Sequence, residues 1–186
     1  MDKIKIQGYH GTSGKSAKNI LHEKKFNLSK KNNEWLGEGV YFWDKLEHGM
    51  WWANKHFKCK NPHVIECELT CSKDKYLNLD KEMNKLEDFG QQYVEEMKQK
   101  TNSAPSFRTN NEAKKFFCTL YAKKFDIKII SFTFKYSVFN NVGFQVDTIE
   151  RNQICVTDNN NINIIELKEV SIWYLMKMRW ELFVKN

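Results

Sequence analysis

Two short stretches carry residues able to do chemistry. The first, Tyr9-His10-Gly11-Thr12, offers an imidazole, a bare main-chain unit and a hydroxyl in succession. Gly11 lets a planar amide lie against the backbone and pair with its N–H and C=O. His10 can bond a ribose hydroxyl, and Thr12 can add a further hydrogen bond. The second stretch, Trp35-Leu36-Gly37-Glu38-Gly39-Val40-Tyr41-Phe42-Trp43, sets an aromatic ring behind two glycines. Gly37 and Gly39 permit a tight turn into a strand, from which Tyr41 offers a ring face to a planar heterocycle. Such a set suits a nicotinamide. The same residues also suit a plain interior, with His10 a hydrogen-bonded core histidine and Tyr41 and Phe42 core aromatics.

The elements that must position these groups follow from periodicity. Lys3 to His10 alternates as a strand, and Ser16 to Lys25 has helical spacing with Ala17, Ile20 and Leu21 inward. Asn27 to Glu34 is a polar loop, and Glu38 to Trp43 is a short strand. Asp44-x-x-Glu47 opens a helix whose stripe is Leu46, Met50, Ala53 and Phe57, with Trp51 and Trp52 partly off it. Val64 to Leu69 is a strand and Lys81 to Lys100 a helix. Thr109-x-x-Glu112 is a capping box for the helix that follows. The last third reads as strands at Ile127–Lys135, Gly143–Asp147, Arg151–Thr157, Ile162–Ile165 and about Glu169–Leu175. Asp158 to Asn161 is a turn suited to a hairpin. Helices early and strands late predict an α+β fold with a strongly bent mixed or antiparallel sheet. One domain over 1–186 is expected, with a helical insertion at about 80–125.

Composition bounds the rest. The 186 residues include 13 Phe, 7 Tyr and 6 Trp, which is globular usage. The net charge of +7, mostly from lysine, favours an anionic partner through long-range attraction. Five cysteines, at 59, 67, 71, 118 and 155, form no paired metal signature, so no metal is expected. No apolar leader and no membrane-length apolar run is visible, which predicts a cytoplasmic protein with no membrane partner. No G-x-G-x-x-G follows the first strand and no Walker loop occurs, so a nucleotide is not held in those cradles.

The YHGT segment, the short helix after it, and WLGEGVYFW followed by a helix with WWA resemble the ADP-ribosyltransferase fold. More narrowly they are similar to its diphtheria-toxin and poly(ADP-ribose)-polymerase branch, which carries a His-Tyr-Glu constellation. The motifs cover the first quarter of the chain, and the strand-rich end agrees in order. The resemblance implies split, bent mixed or antiparallel sheets with flanking helices. It also implies NAD as cofactor. His10 would orient its riboses, Gly11 would clamp its carboxamide with Thr12 and Gly39 in support, and Tyr41 would stack on the nicotinamide. A second ring would come from Trp52, Trp51 or elsewhere. Lys30 and Lys31, in the loop before Trp35, would meet the pyrophosphate.

The family's glutamate falls, in ERNQICV, on Gln153. Glutamine can hold a ribose hydroxyl but brings neither charge nor a proton acceptor. Glu150 is the nearest acid in sequence, although strand alternation puts it on the other face unless a bulge intervenes. Glu34 and Glu38 are further candidates for the charge. The implied activity is mono-ADP-ribosyl transfer to a nucleic acid (RNA or DNA) or a translation-related protein. The implied setting is an intracellular toxin of phage defence, restrained by an antitoxin. The alternative is an inactive NAD- or ADP-ribose-binding module or a protein-interaction domain. Transfer of an RNA 2′-phosphate to NAD, on the same fold, needs basic residues that have no clear counterpart here.

Overall fold

The computed structural model describes residues 2–31, 34–57, 61–139 and 142–169. Among the described residues seven strands form one sheet: β1 (Lys3–Ser13), β2 (Val40–Trp43), β3 (Pro62–Ser72), β4 (Tyr76–Asn78), β5 (Ile129–Phe139), β6 (Gln145–Val156) and β7 (Ile162–Glu169). Their spatial order is β4-β5-β6-β2-β1-β3-β7. Among these strands β4 and β5 run parallel, and the other neighbours are antiparallel. The helices are α1 (Gly14–Glu23), α2 (Leu46–Phe57), α3 (Leu79–Thr101) and α4 (Asn110–Phe125). The class is α+β, with a mixed, mainly antiparallel sheet and flanking helices.

Strand alternation sorts the core onto two faces. On one face Phe42, Ile154, Ile65 and Leu69 pack with Ala17 and Ile20 of α1. On the other, Cys155, Ile130 and Phe134 pack beneath α3 and α4, through Leu86, Phe89, Cys118 and Tyr121. Further along that second face, α2 lies over β1 and β3, with Met50 and Ala53 against Val64 and Tyr9. Small residues set how closely α2 approaches. A Cβ built on Gly49 would come 3.0 Å from Tyr9 Cβ.

The joint between the two halves of the sheet is narrow. β1 pairs along its length with β3, and β2 pairs throughout with β6. Between β1 and β2 the ladder holds one pair, Tyr9 opposite Trp43. The strands separate beyond it, and the first candidate residues sit at that separation.

Several sequence expectations change. Strands expected at Gly143–Asp147 and Arg151–Thr157 are one strand, β6, made continuous by pairing with a long antiparallel partner in β5. The Asp158–Asn161 turn is a short 3₁₀ turn at Asn159–Asn161, not a hairpin. The strand after it crosses to the far edge and pairs with β3. The Thr109 cap is present, with Thr109 Oγ1 accepting from Glu112 N–H at 3.2 Å. The Glu112 carboxylate accepts from Arg108 N–H at 3.0 Å, rather than from the N–H of Thr109. Most of the strand expected at about Glu169–Leu175 lies outside the described residues; Glu169 itself ends β7.

Candidate functional site

Ladder parity decides where the Gly11 backbone points. Gly14 N–H bonds Asn61 C=O at 2.8 Å, and Pro62, which has no N–H, stands opposite Ser13. An antiparallel ladder alternates bonded and non-bonded pairs. Even-numbered residues of β1 therefore bond β3, and Gly11 turns its N–H and C=O toward β2. On β2, Asp44 N–H bonds Asn152 C=O at 3.3 Å, so odd-numbered Tyr41 and Trp43 turn their backbone groups toward β1. Gly11 and Tyr41 thus present main-chain edges to each other across the separation, beyond the last ladder pair.

His10 enters this gap. Its Nδ1 lies 2.8 Å from Tyr41 C=O. A carbonyl only accepts, so Nδ1 carries the proton, and the Nε2 of the neutral ring is left as an acceptor. The ring packs edge-on to Phe26 at 5.1 Å and against Phe42 at 5.7 Å. Burial lowers the His10 pKa, and the bond to Tyr41 C=O opposes that only in part. The neutral form is the one this site holds.

That depression has a consequence for acid stability. Between the lowered folded value and the ordinary 6.5, the unfolded chain binds more protons at this group than the folded chain. Stability from neutral His10 is complete above 6.5 and is lost as pH falls below it, toward the folded value. Urea midpoints from about pH 7.5 to pH 5 should therefore fall more for the wild type than for His10→Gln. Equal acid slopes in the two proteins would rule His10 out as the group responsible.

A polar cavity of about 200 Å³ adjoins His10, lined also by Thr12, Ser16, Asn19, Phe26 and Asn27. Thr12 itself is buried. Helix α1 starts directly after β1 because Ser13 caps it, accepting from Ser16 N–H at 3.2 Å. The cavity therefore combines the end of β1 with the first turns of α1.

Tyr41 occupies a different place from the one expected for a freely offered ring. Its side chain is on the opposite sheet face from His10, in the cluster with Cys118 and Cys155. Its hydroxyl donates to Gly37 C=O at 2.7 Å and accepts from Leu36 N–H at 3.1 Å. Gly37 adopts φ +98°, which glycine alone takes at little cost. The phenol pins its own approach loop, and burial raises its pKa. Gly39 is likewise engaged, exchanging backbone bonds with Ser29 at 2.8 and 3.2 Å. A Cβ on Gly39 would lie 2.5 Å from Cys155 Sγ, so close strand packing accounts for this glycine.

Gln153 stands between Trp43 on β2 and Phe132 on β5, on the face that carries Tyr41. The register from Val156 back to Asp147 is unbroken, so no bulge turns Glu150 round. Glu150 lies on the opposite face, where its carboxylate pairs with Lys135 at 2.9 Å. It lines a separate polar cavity of about 410 Å³ with Asp44, Thr133 and Asn152. Glu34 is occupied by Ser29 Oγ and by Lys31 N–H. Glu38 faces Lys123 at 3.9 Å. Lys30 gives its carbonyl to Lys115 Nζ at 2.7 Å. Trp52 stacks at 3.9 Å on His56 and meets Trp43 at 5.8 Å and Trp51 at 6.1 Å.

The structure therefore brings His10, Gly11, Thr12 and the Tyr41 backbone to one gap, and Tyr41 and Gln153 to one face. It separates Glu150 from them. Two features escape the sequence reading. The cavity uses Ser16 and Asn19 of α1, whose spacing from His10 carries no distinctive pattern. Arg151 shares the face of Gln153, which strand alternation alone predicts. Among the described residues no group of three or more His, Cys, Asp or Glu side chains could hold a metal. No described helix is long and apolar enough to cross a membrane.

No protein-family model matches the chain. The chain is similar to an uncharacterized protein of Methanocaldococcus jannaschii, with 33% identity over 91 residues. That match covers 46% of this chain and 42% of the archaeal protein.

Proposed function

We propose that this chain is an NAD-dependent mono-ADP-ribosyltransferase of the ADP-ribosyltransferase fold, acting on a macromolecular acceptor. The single observation that carries the reading is the opening between β1 and β2. There Gly11 turns an N–H and a C=O outward with no ladder partner beyond Tyr9–Trp43, while His10 secures Tyr41 C=O. A carboxamide has a complementary acceptor and donor, and fits that edge as a strand would. It must approach in the plane of the sheet, because α2 lies over the Gly11 α-carbon. The His10 Nε2 suits a ribose hydroxyl, and the polar cavity of about 200 Å³ with Thr12, Ser16 and Asn19 suits the polar groups nearest that ribose.

The proposed reaction breaks the bond between nicotinamide and ribose, and the bonding pair leaves with nicotinamide. A new bond forms between the sugar carbon and the acceptor's nucleophile, which gives its proton to solvent. The family analogy gives Gln153 a hydroxyl of the nicotinamide ribose; it stands on the Tyr41 face, two residues along β6 from the pair with Tyr41, and Tyr41 fixes the wall of the gap. A cytoplasmic toxin restrained by an antitoxin is the setting the family analogy suggests. A second reading, a module that binds NAD or ADP-ribose without turnover, is favoured by one observation. Gln153 supplies no charge, and Glu150 is on the other face.

Purified protein with NAD and cell extract is expected to release nicotinamide, and radiolabelled NAD to mark protein, RNA or DNA. His10→Ala and Tyr41→Ala should each reduce release sharply. Binding of NAD without release or label would establish the module. Neither binding nor release would sink both readings.

A further inference from the structure

The guanidinium of Arg151 lies 3.8 Å over the Trp51 ring and 5.2 Å from the Tyr136 ring. Its Nε is buried without a hydrogen-bond partner. No carboxylate among the described residues forms an ion pair with it. A desolvated arginine normally has a carboxylate or a carbonyl, because an unpaired buried donor costs free energy. Here the Trp51 ring lies under the group with Tyr136 beside it, and with Nε buried the terminal N–H groups are what it can turn to an anion. Lys55 Nζ also stands 5.2 Å from the Trp51 ring, which adds a second positive charge.

Position distinguishes this site from the proposed cofactor site. Tyr41 is level with Cys155 on β6, and Arg151 is four residues further along that strand, about 13 Å away. The cavity of Thr12 and Ser16 lies the other way along the strands and on the other sheet face. A nucleotide running from Gly11 into that cavity leads away from Arg151. Arg151 and Gln153 nevertheless share one face, two residues apart.

We propose that Arg151, stacked on Trp51, forms the acceptor subsite and binds a phosphate of single-stranded nucleic acid. The assignment of the phosphate to an acceptor rests on the transferase reading; the site itself does not. Three features favour nucleic acid over a protein acceptor. A guanidinium edge matches phosphate in two-point geometry. The half-buried rings of Trp51 and Trp52 beside it, covered in part by Arg151 and His56, offer their remaining surface to unpaired bases. The chain carries +7 net charge.

The test measures affinity of the full chain for three probes: labelled single-stranded RNA or DNA of mixed sequence, NAD, and an oligoglutamate peptide. Wild type, Arg151→Gln and Arg151→Lys are compared, with circular dichroism and melting confirming that each is folded. Arg151→Gln should weaken nucleic-acid binding roughly ten-fold and reduce the slope of log K against log salt by about 0.7. Arg151→Lys should restore the slope but only part of the affinity, since an ammonium neither stacks flat nor bonds in two points. NAD affinity should stay within about two-fold of wild type.

A loss confined to NAD would make Arg151 a cofactor residue and overturn the proposal. Stronger Arg151-dependent binding of oligoglutamate than of nucleic acid would also overturn it, as would unchanged binding in folded Arg151→Gln. Arg151-dependent nucleic-acid binding in a chain that never binds NAD would support the phosphate site while sinking the transferase reading.

Discussion

In the proposed transferase, replacing Gln153 by glutamate is expected to raise nicotinamide release from NAD by about a hundredfold. In the proposed reaction the departing nicotinamide leaves positive charge on the sugar, and the family analogy turns the residue between Trp43 and Phe132 toward it. A unit negative charge about 4 Å from a unit positive one contributes about 4 kcal/mol at an effective dielectric of 20. Part of that is offset by desolvating a carboxylate between two aromatic side chains, which leaves about a hundredfold in rate. Glutamine supplies a hydrogen bond but not this term in the charge balance. Gln153→Ala should fall below wild type, because it loses the proposed hydroxyl contact as well. Glu150→Gln should change little, since its carboxylate is on the opposite face and bonded to Lys135. Nicotinamide release by the three variants, read with and without acceptor, checks all of this. A glutamate variant at the wild-type rate, or a collapse in Glu150→Gln, would remove Gln153 from the reacting end of the site.

Gly11→Ala is expected to lower the melting temperature by roughly 10 °C, corresponding to about 3 kcal/mol of overpacking in a chain of this size. The new methyl would sit 2.5 Å from Gly49 C=O and 3.0 Å from Ala53 N, both helix backbone. Backbone cannot swing aside, so α2 must lift from β1 or the two strands must move apart. Gly8→Ala is the control. Its methyl also arrives too close, at 2.7 Å, but against Leu69 Cδ1, the end of a side chain that can rotate. Gly8→Ala should therefore lose less stability than Gly11→Ala. In the proposed site the Gly11 variant should also lose NAD affinity, since moving α2 disturbs the edge that receives the carboxamide. Thermal melts of both variants, with and without NAD, separate these effects. Equal melting temperatures for the two would show that α2 yields easily.

Much of this architecture is written locally in the chain. The caps at Ser13 and Thr109, the alternation of β1 and β3, and the helical stripes of α2 and α3 depend on neighbours a few residues apart. For that reason the α+β class and the clustering of His10, Gly11 and Thr12 at a strand end are readable from residue order. The opposite faces of Glu150 and Gln153 follow from alternation alone, given an unbroken strand.

Long-range pairing decided the remainder. The fusion of two short expected strands into β6 required β5 as a partner, and the path to β7 required an open edge on β3. The tethered Tyr41 hydroxyl depends on the positive φ of Gly37 and on a loop folded back over the ring. The outward turn of Gly11 depends on a ladder that stops after one pair. Periodicity tells which side chains share a face; only partner strands, set by contacts far apart in sequence, tell which backbone edges are used and which are left open.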